Sequence, residues 1–115
     1  MDISFKNKKL RKEFNEGKRL EKVHGVLRAT KIRIRLTELR SAASLNDFWP
    51  PKSGPSRCHE LTMGKQKGML SVDLDHPYRL LFVPDHDPVP LKSDGGLDWK
   101  QVTAITITEI EDTHE

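Results

Sequence analysis

The chain has 115 residues, of which 35% are hydrophobic and 32% charged, and its formal net charge is +3 at pH 7. This length predicts one domain, residues 1–115, with a small core beneath a strongly charged surface. The single cysteine excludes an internal disulfide framework and is typical of a reducing compartment. No apolar run approaches the roughly 18–20 residues that span a bilayer, and no apolar stretch follows the first lysines as it would in a signal peptide. We therefore expect a cytoplasmic protein with no membrane association.

The charges are distributed unevenly along the chain. Residues 1–40 carry 13 lysines and arginines against 5 aspartates and glutamates, whereas residues 41–115 carry 7 against 12. A basic half attracts a polyanion, or an acidic protein, through electrostatic steering and counterion release. A solvated helix face is the commoner reason for such a run of charge. Charge alone leaves both interpretations open.

The first half of the chain predicts one strand followed by helices. The alternation around Ile3 and Phe5 predicts a short opening strand. Residues 7–24 follow a helical pattern, which Gly17 should break or kink and Gly25 should end. In the next helix, apolar residues recur at steps of three and four and form one stripe: Ala29, Ile32, Leu36, Leu39 and Ala43. Four basic residues are expected to lie mostly away from this stripe: Arg28, Lys31, Arg35 and Arg40.

The second half predicts a proline-rich loop and a small sheet. Three prolines make residues 46–56 a loop, with Phe48 and Trp49 as expected anchors on the core. Residues 84–100 predict an ordered excursion or a long hairpin tip. Period-two alternation or a continuous apolar run predicts three strands: residues 70–74, 78–83 and 102–110. The predicted fold is α+β, with an N-terminal strand and helices packed on one face of a small antiparallel sheet, and the opposite face left for chemistry.

Arg79 is the strongest candidate for a functional residue. An arginine within an apolar strand is costly unless its guanidinium reaches the sheet edge, a carboxylate or a ligand phosphate. A salt bridge to Asp73 on the neighbouring strand and a functional role are equally open. His59 alone is more often a satisfied or surface residue, although imidazole can move protons near neutral pH.

The remaining candidates carry weaker signals. Lys65 and Lys67 flank a tight Gly64/Gly68 turn, which is too short for a P-loop, so spacing alone predicts solvated turn lysines. Cys58 has no second pair of ligands that would close a tetrahedral site, and we predict no metal site. Three residues are assigned no role: His76, His86 and Trp99.

The order of these segments resembles the HigB-like toxins of the RelE/ParE superfamily, also called plasmid maintenance system killer proteins. The proline-rich excursion is similar to one branch of these toxins. The segments that carry the resemblance are Arg57-Cys58-His59-Glu60-Leu61, the turn 64–68, the strands 70–74 and 77–82, the segment 102–110 and the ending Asp112-Thr113-His114.

The resemblance implies a RelE-like fold and the toxin of a type II toxin–antitoxin system. Such a toxin enters the ribosomal A site and cleaves mRNA by attack of a ribose 2′-OH on the adjacent phosphate, with no metal or other cofactor. The implied partners are a HigA-type helix-turn-helix antitoxin, the ribosome and mRNA, with operator DNA bound only through the antitoxin. The residues implied are His59, Arg79, Asp112 and His114 for catalysis, and Arg57, Lys65 and Lys67 for RNA binding.

Two positions depart from the pattern of these toxins. Thr113 stands where a tyrosine is usual, and Thr62-Met63 stand where a lysine is usual, so part of the catalytic and basic equipment of these toxins is missing or relocated to Lys65. Two other functions remain open. A ParE-like inhibitor of gyrase shares the fold but needs no catalytic histidine or hairpin lysines. A catalytically silent member would act only as the binding partner of a helix-turn-helix antitoxin.

Overall fold

The computed structural model describes residues 1–112 of the chain. Within these residues no helix is both long enough and apolar enough to cross a membrane. Two short 3₁₀ turns, Leu45–Phe48 and Trp99–Gln101, lie in the connections. The main elements are β1 (Asp2–Phe5), α1 (Lys8–Asn15), α2 (Gly17–His24), α3 (Val26–Ser41), β2 (His59–Glu60), β3 (Leu70–Asp73), β4 (Tyr78–Pro84) and β5 (Ala104–Asp112).

The described strands form one mixed sheet in the order β1-β5-β4-β3-β2. The predicted α+β class is confirmed, but the prediction of an antiparallel sheet is wrong at its first strand. β1 runs parallel to β5, with Ile3 opposite Ile105 and Phe5 opposite Ile107, whereas the other neighbouring strands are antiparallel. Parallel neighbours need a long connection, and nearly the whole chain, including all three helices, separates β1 from β5.

The boundaries of the first two helices follow the predicted local signals. The Asn7 side chain accepts a hydrogen bond from the Leu10 backbone N–H at 2.8 Å and caps α1. α1 ends at Asn15 and α2 begins at Gly17, so the predicted break is confirmed. Gly25 ends α2 with a φ of 83°, in the left-handed region where a side chain would be strained.

The core lies between the helices and one face of the sheet, as predicted. The stripe on α3 is buried at four of its five positions, but α3 ends at Ser41, so Ala43 is exposed and Ala42 is buried in its place. The helices and strands meet through fully or nearly fully buried side chains: Phe14, Leu20, Ala29, Ile32, Leu36, Leu39, Leu70, Val72, Leu80, Phe82, Ile105 and Ile107.

Arg35 is the main correction on α3, because its side chain is 6% exposed and not solvated. Its Nε donates to the Asp73 carbonyl at 2.7 Å, and its terminal nitrogens donate to Glu38 at 2.9 Å and to the Pro55 carbonyl at 3.2 Å. A buried guanidinium is tolerated when its donors are paired in this way. Arg35 therefore joins α3 to the end of β3 and to the loop before β2.

The loop predictions hold in part. Phe48 packs on the core, but Trp49 is 53% exposed and touches Trp99 edge-on. Trp99 had been assigned no role, yet it is 4% exposed and belongs to the core. The predicted hairpin tip is present, since Leu91 pairs with Leu97 around the turn.

Candidate functional site

In the described part of the chain, the face of the sheet opposite the helices carries three of the seven residues predicted for function: Arg57, His59 and Arg79. Residues paired across strands share a face, and successive residues alternate between faces. His59 is paired with Ser71, and Asp73 with Arg79, which is in turn paired with Glu111. Two strand spacings, about 10 Å, separate β2 from β4. We call this surface the polar face and define it by Arg57, His59, Ser71, Asp73, Arg79, Glu109 and Glu111.

Asp73 lies between two arginines on the polar face. Its Oδ1 is 3.3 Å from Arg79 Nε, and its Oδ2 is 3.3 Å from Arg57 Nε. The salt bridge considered as an alternative role for Arg79 is therefore present. Within residues 1–112, neither of these ion pairs has the geometry of a hydrogen bond. Arg28, by contrast, donates two hydrogen bonds to Asp75. The Arg79 side chain is 25% exposed and that of Arg57 is 49% exposed, so both guanidinium groups can also contact a solute.

The backbone beside Asp73 is held by three hydrogen bonds that local sequence does not predict. The Asp73 N–H donates to the Ser56 carbonyl at 2.7 Å, and Lys52 N–H donates to the Cys58 carbonyl at 3.0 Å. Arg35 reaches the Pro55 carbonyl from the helix side. These bonds fix the segment before β2 against the end of β3. Arg57, at a φ of 47°, is thereby directed toward Asp73.

The ring of His59 has a defined orientation. His59 is 8% exposed, and its Nδ1 lies 2.6 Å from the Arg57 carbonyl oxygen, to which it donates a hydrogen bond. Because Nδ1 carries the proton, the lone pair of the neutral ring is on Nε2. Nε2 is then the atom that could accept a proton from a substrate. His59 also lines a cleft of about 440 Å³ beside β2.

The turn between β2 and β3 folds back onto the polar face. Gly64 and Gly68 have φ values of 76° and 91°, which favour glycine and allow the tight turn. Gln66, between them, donates from Nε2 to Glu111 at 2.7 Å. Lys65 and Lys67 flank Gln66 and are exposed. The turn therefore brings two mobile cations to the edge of the polar face nearest the end of β5.

A pair of glutamates on β5 is a feature that the sequence prediction missed. Burial raises the pKa of Glu109, the negative charge of Glu111 and a hydrogen bond to that carboxyl raise it further, and Lys6 lowers it. The signal for this pair was available, because two glutamates two residues apart on an alternating strand share a face. Cys58, next to His59, is fully buried, and burial raises the pKa of its thiol to about 12.

Two buried polar atoms on this face have no hydrogen-bond partner among the described residues: Ser71 Oγ and Asp73 Oδ1. Asp73 Oδ1 is nevertheless in an ion pair with Arg79 Nε, so its charge is compensated. Ser71 Oγ has no polar partner among the described residues, which costs roughly 1–3 kcal/mol. Ser71 is the strand partner of His59, and Asp73 is the partner of Arg79, so both atoms lie beside predicted catalytic residues.

Of the residues predicted at the end of the chain, the structure describes Asp112, which lies outside this group. Asp112 is the last described residue; it pairs with Tyr78 and is exposed. Because Glu111 lies on the polar face, alternation directs Asp112 to the opposite face. Thr113 and His114 lie outside the described residues. The catalytic roles of Asp112 and His114 remain predictions.

The described residues combine an oriented histidine, two arginines and two exposed turn lysines around one sheet face. Such a set can bind a phosphate, stabilise added negative charge and move a proton. Among residues 1–112, no three His, Cys, Asp or Glu side chains are grouped as a metal site requires. No model of a known protein family matches this chain, and no curated protein matches it.

Proposed function

We propose that this protein is a ribosome-dependent mRNA endonuclease and the toxin of a type II toxin–antitoxin system. Within the RelE-like fold suggested by the resemblance, the polar face would receive the mRNA strand. The observation that carries the proposal is the grouping of His59, Arg57 and Arg79 on the sheet face opposite the helices. The buried Ser71 Oγ supports it, because it lies opposite His59 with no hydrogen-bond partner among the described residues and so reduces stability at the same position.

The chemistry would be an internal displacement at phosphorus. A ribose 2′-oxygen attacks the adjacent phosphate, the bond from phosphorus to the 5′-oxygen breaks, and a 2′,3′-cyclic phosphate forms. His59 Nε2 would take the proton of the 2′-OH, because its lone pair is set by the bond from Nδ1 to the Arg57 carbonyl. The 5′-oxygen would gain a proton from water or, as the resemblance implies, from the chain end that includes Asp112 and His114.

Arg79 would stabilise the negative charge that develops on the phosphate oxygens. A guanidinium has five N–H donors in a planar fork, and the contact to Asp73 uses Nε. A phosphate could therefore approach the terminal nitrogens while the salt bridge persists. Removing one donor of this kind typically lowers the rate by about 10²–10³.

The RNA backbone would be held by Arg57 and by the turn lysines Lys65 and Lys67. Gln66 anchors the turn to Glu111, while the two lysines beside it remain exposed. Two flexible ammonium groups on a fixed turn suit nonspecific contacts to successive phosphates. This arrangement also explains why the chain would need the ribosome, since it offers contacts to the backbone but few that would align the RNA for attack.

The partner would be a helix-turn-helix antitoxin of the HigA type that docks on the α2–α3 hairpin. Four large apolar side chains are exposed there, at 45–67%: Val23, Val26, Leu27 and Ile34. The first 40 residues, which include this hairpin, are strongly basic. An acidic amphipathic segment would cover the apolar residues and pair with the surrounding cations.

A catalytically silent binding partner is the second candidate. The observation that favours it is that Arg57 and Arg79 share one carboxylate, Asp73, so part of their charge is already neutralised. In this case the α2–α3 hairpin would still bind the antitoxin, but the polar face would not cleave RNA.

The test is cleavage of mRNA in a reconstituted translation reaction, with 5′ ends mapped by primer extension. We expect cuts within codons that depend on the ribosome, a 2′,3′-cyclic phosphate on the upstream product, and little cleavage of free RNA. Leu27→Glu should abolish protection by the antitoxin and leave cleavage intact, which separates the two surfaces.

Two outcomes would contradict the nuclease assignment, and a third would contradict the proposed site. Growth arrest with intact mRNA and gyrase-linked DNA breaks would indicate a ParE-like inhibitor. Antitoxin binding through Leu27 without cleavage would indicate the silent partner. Cleavage that Arg79→Ala leaves unchanged would place the reaction elsewhere on the molecule.

A further inference from the structure

A two-tryptophan cleft lies beside β2, and the function proposed above does not use it. Its volume is about 440 Å³, and it is lined by Trp49, Lys52, His59, Lys92, Leu97 and Trp99 among others. The rings of Trp49 and Trp99 meet edge to face, with centroids 5.2 Å apart and an interplanar angle of 89°. The cleft thus connects an aromatic wall to the histidine of the polar face.

The two tryptophans differ in burial. Trp99 is 4% exposed, belongs to the core and lies with its Nε1 3.4 Å from Glu60 Oε1, to which it donates. Trp49 is 53% exposed, although it could have packed into the loop. Trp49 contacts Trp99, yet about half of its surface remains exposed. An exposed indole of this kind is suited to stacking against a flat ligand.

A second hollow of about 640 Å³ lies against the same pair of tryptophans. It shares Trp49, Lys92, Leu97 and Trp99 with the first and adds Lys100. Lys52 and Lys92 are exposed, and Lys92 has only a distant ion pair, 3.8 Å from Asp94. The groove formed by the two hollows therefore offers a stacking surface with three lysines along it.

An aromatic face next to lysines is the combination by which proteins hold unpaired nucleic acid bases and their phosphates. An apolar peptide would use the tryptophans but not the lysines, and an acidic peptide would use the lysines but not the ring face. Glu60 and Asp98 also line the groove, so its three lysines leave a net charge of +1 (3 − 2) to attract a phosphate.

We propose that the two-tryptophan cleft binds one unpaired nucleotide of the RNA strand, with its base stacked on Trp49 and its phosphate at Lys52 and Lys92. This inference rests on the proposed function for the identity of the ligand. Because His59 lines the same cleft, a nucleotide held there would set the position of its neighbour on the polar face. The cleft would then determine where along the strand the cut falls.

The test is binding of a six-nucleotide single-stranded oligoribonucleotide to the whole chain, followed by tryptophan fluorescence. Trp49 and Trp99 are the two tryptophans of the sequence, so quenching reports on this cleft. Stacking of one base is worth a factor of roughly 5–150 in affinity, so Trp49→Leu should weaken binding by that factor. Trp49→Phe should retain most of the affinity, and Lys52→Gln or Lys92→Gln should weaken the salt dependence of binding.

Controls separate this inference from the nuclease assignment. Lys9→Gln should leave quenching unchanged, because Lys9 is an exposed residue of α1 that does not line the cleft, and duplex RNA of the same sequence should not quench. Equal affinities of the wild type and Trp49→Leu, with unchanged thermal stability, would overturn the cleft proposal even if mRNA is cleaved. Binding that depends on Trp49 without any cleavage of mRNA would support the cleft and overturn the nuclease. Quenching by an acidic peptide but not by RNA would overturn the cleft proposal.

Discussion

Replacing Arg79 tests whether its role is catalytic or structural. In Arg79→Ala one ion pair of 3.3 Å is lost between side chains that are 25% and 27% exposed. Ion pairs this accessible to water contribute up to about 1 kcal/mol, which corresponds to a fall of about 4 °C in Tm for a domain of this size. Loss of a donor to the transition state would instead lower the cleavage rate by about 10²–10³, or roughly 3–4 kcal/mol. We therefore expect a folded protein with little activity.

Arg57→Ala is the matched control. Arg57 contacts the same carboxylate, also through Nε at 3.3 Å, so it loses a comparable ion pair. Its side chain is more exposed, at 49%, and its predicted role is binding, so the rate should fall less than in Arg79→Ala. Both variants should be assayed by urea melts and by cleavage of ribosome-bound mRNA. The catalytic reasoning is refuted if the two variants lose equal stability and equal activity, or if Asp73→Ala reproduces the Arg79→Ala loss through unfolding alone.

Three further predictions concern the turn and the buried groups. Lys65→Ala and Lys67→Ala should each reduce the slope of log affinity against log salt by about 0.7, as measured with single-stranded RNA; an unchanged slope would remove them from the interface. Because burial raises the pKa of the Cys58 thiol to about 12, only about one thiol in 10⁴ is ionised at pH 8, so a thiol reagent should label it slowly until urea unfolds the chain. Rapid labelling of the native protein would contradict this. The raised pKa of Glu109 means that the folded state binds this proton more tightly than the unfolded state, so stability should fall as pH rises from about 4.5 through the folded pKa. In urea melts, Glu109→Gln should be more stable than the wild type at pH 7 and equally stable at pH 4. A variant less stable than the wild type at pH 7 would contradict the predicted direction of this change.

Local patterns predicted those parts of the fold that local interactions determine. The break at Gly17 and the end at Gly25 follow from backbone propensity, and the α3 stripe follows from helical periodicity. The strands at residues 70–74 and 78–83 were within one residue of β3 and β4, since alternation and a continuous apolar run are strong signals.

What the sequence could not predict depends on contacts between distant residues. β2 has two residues and no periodicity, so it exists only because β3 provides its partner. The parallel pairing of β1 joins Ile3 to Ile105, across most of the chain. Arg35 was expected to be solvated because the carbonyl acceptors at Asp73 and Pro55 come from other segments. Helical periodicity contains no information about such acceptors.

The candidate site was predicted by residue type more than by arrangement. His59, Arg57 and Arg79 do share one face, but the orientation of the His59 ring depends on the Arg57 carbonyl, and the glutamate pair was not anticipated. Trp99 was misjudged because its burial comes from packing between a 3₁₀ turn and the edge of the sheet. For the His59 ring and for Trp99 the missing information was the path of a loop, whereas the glutamate pair could have been predicted from strand alternation.

The two candidate functions assign different roles to the Asp73 carboxylate. In a silent partner, it would serve only to neutralise Arg57 and Arg79, and the lack of a hydrogen bond in either ion pair would reduce stability with no functional gain. In a nuclease, the same carboxylate would hold both guanidinium groups in place before RNA arrives, and the loose contacts at 3.3 Å would let a phosphate share them. A bidentate pair, such as Arg28 with Asp75, would resist that exchange because two aligned hydrogen bonds would have to break. The weak geometry at Asp73 therefore agrees better with arginines that await a ligand than with arginines already committed to the fold.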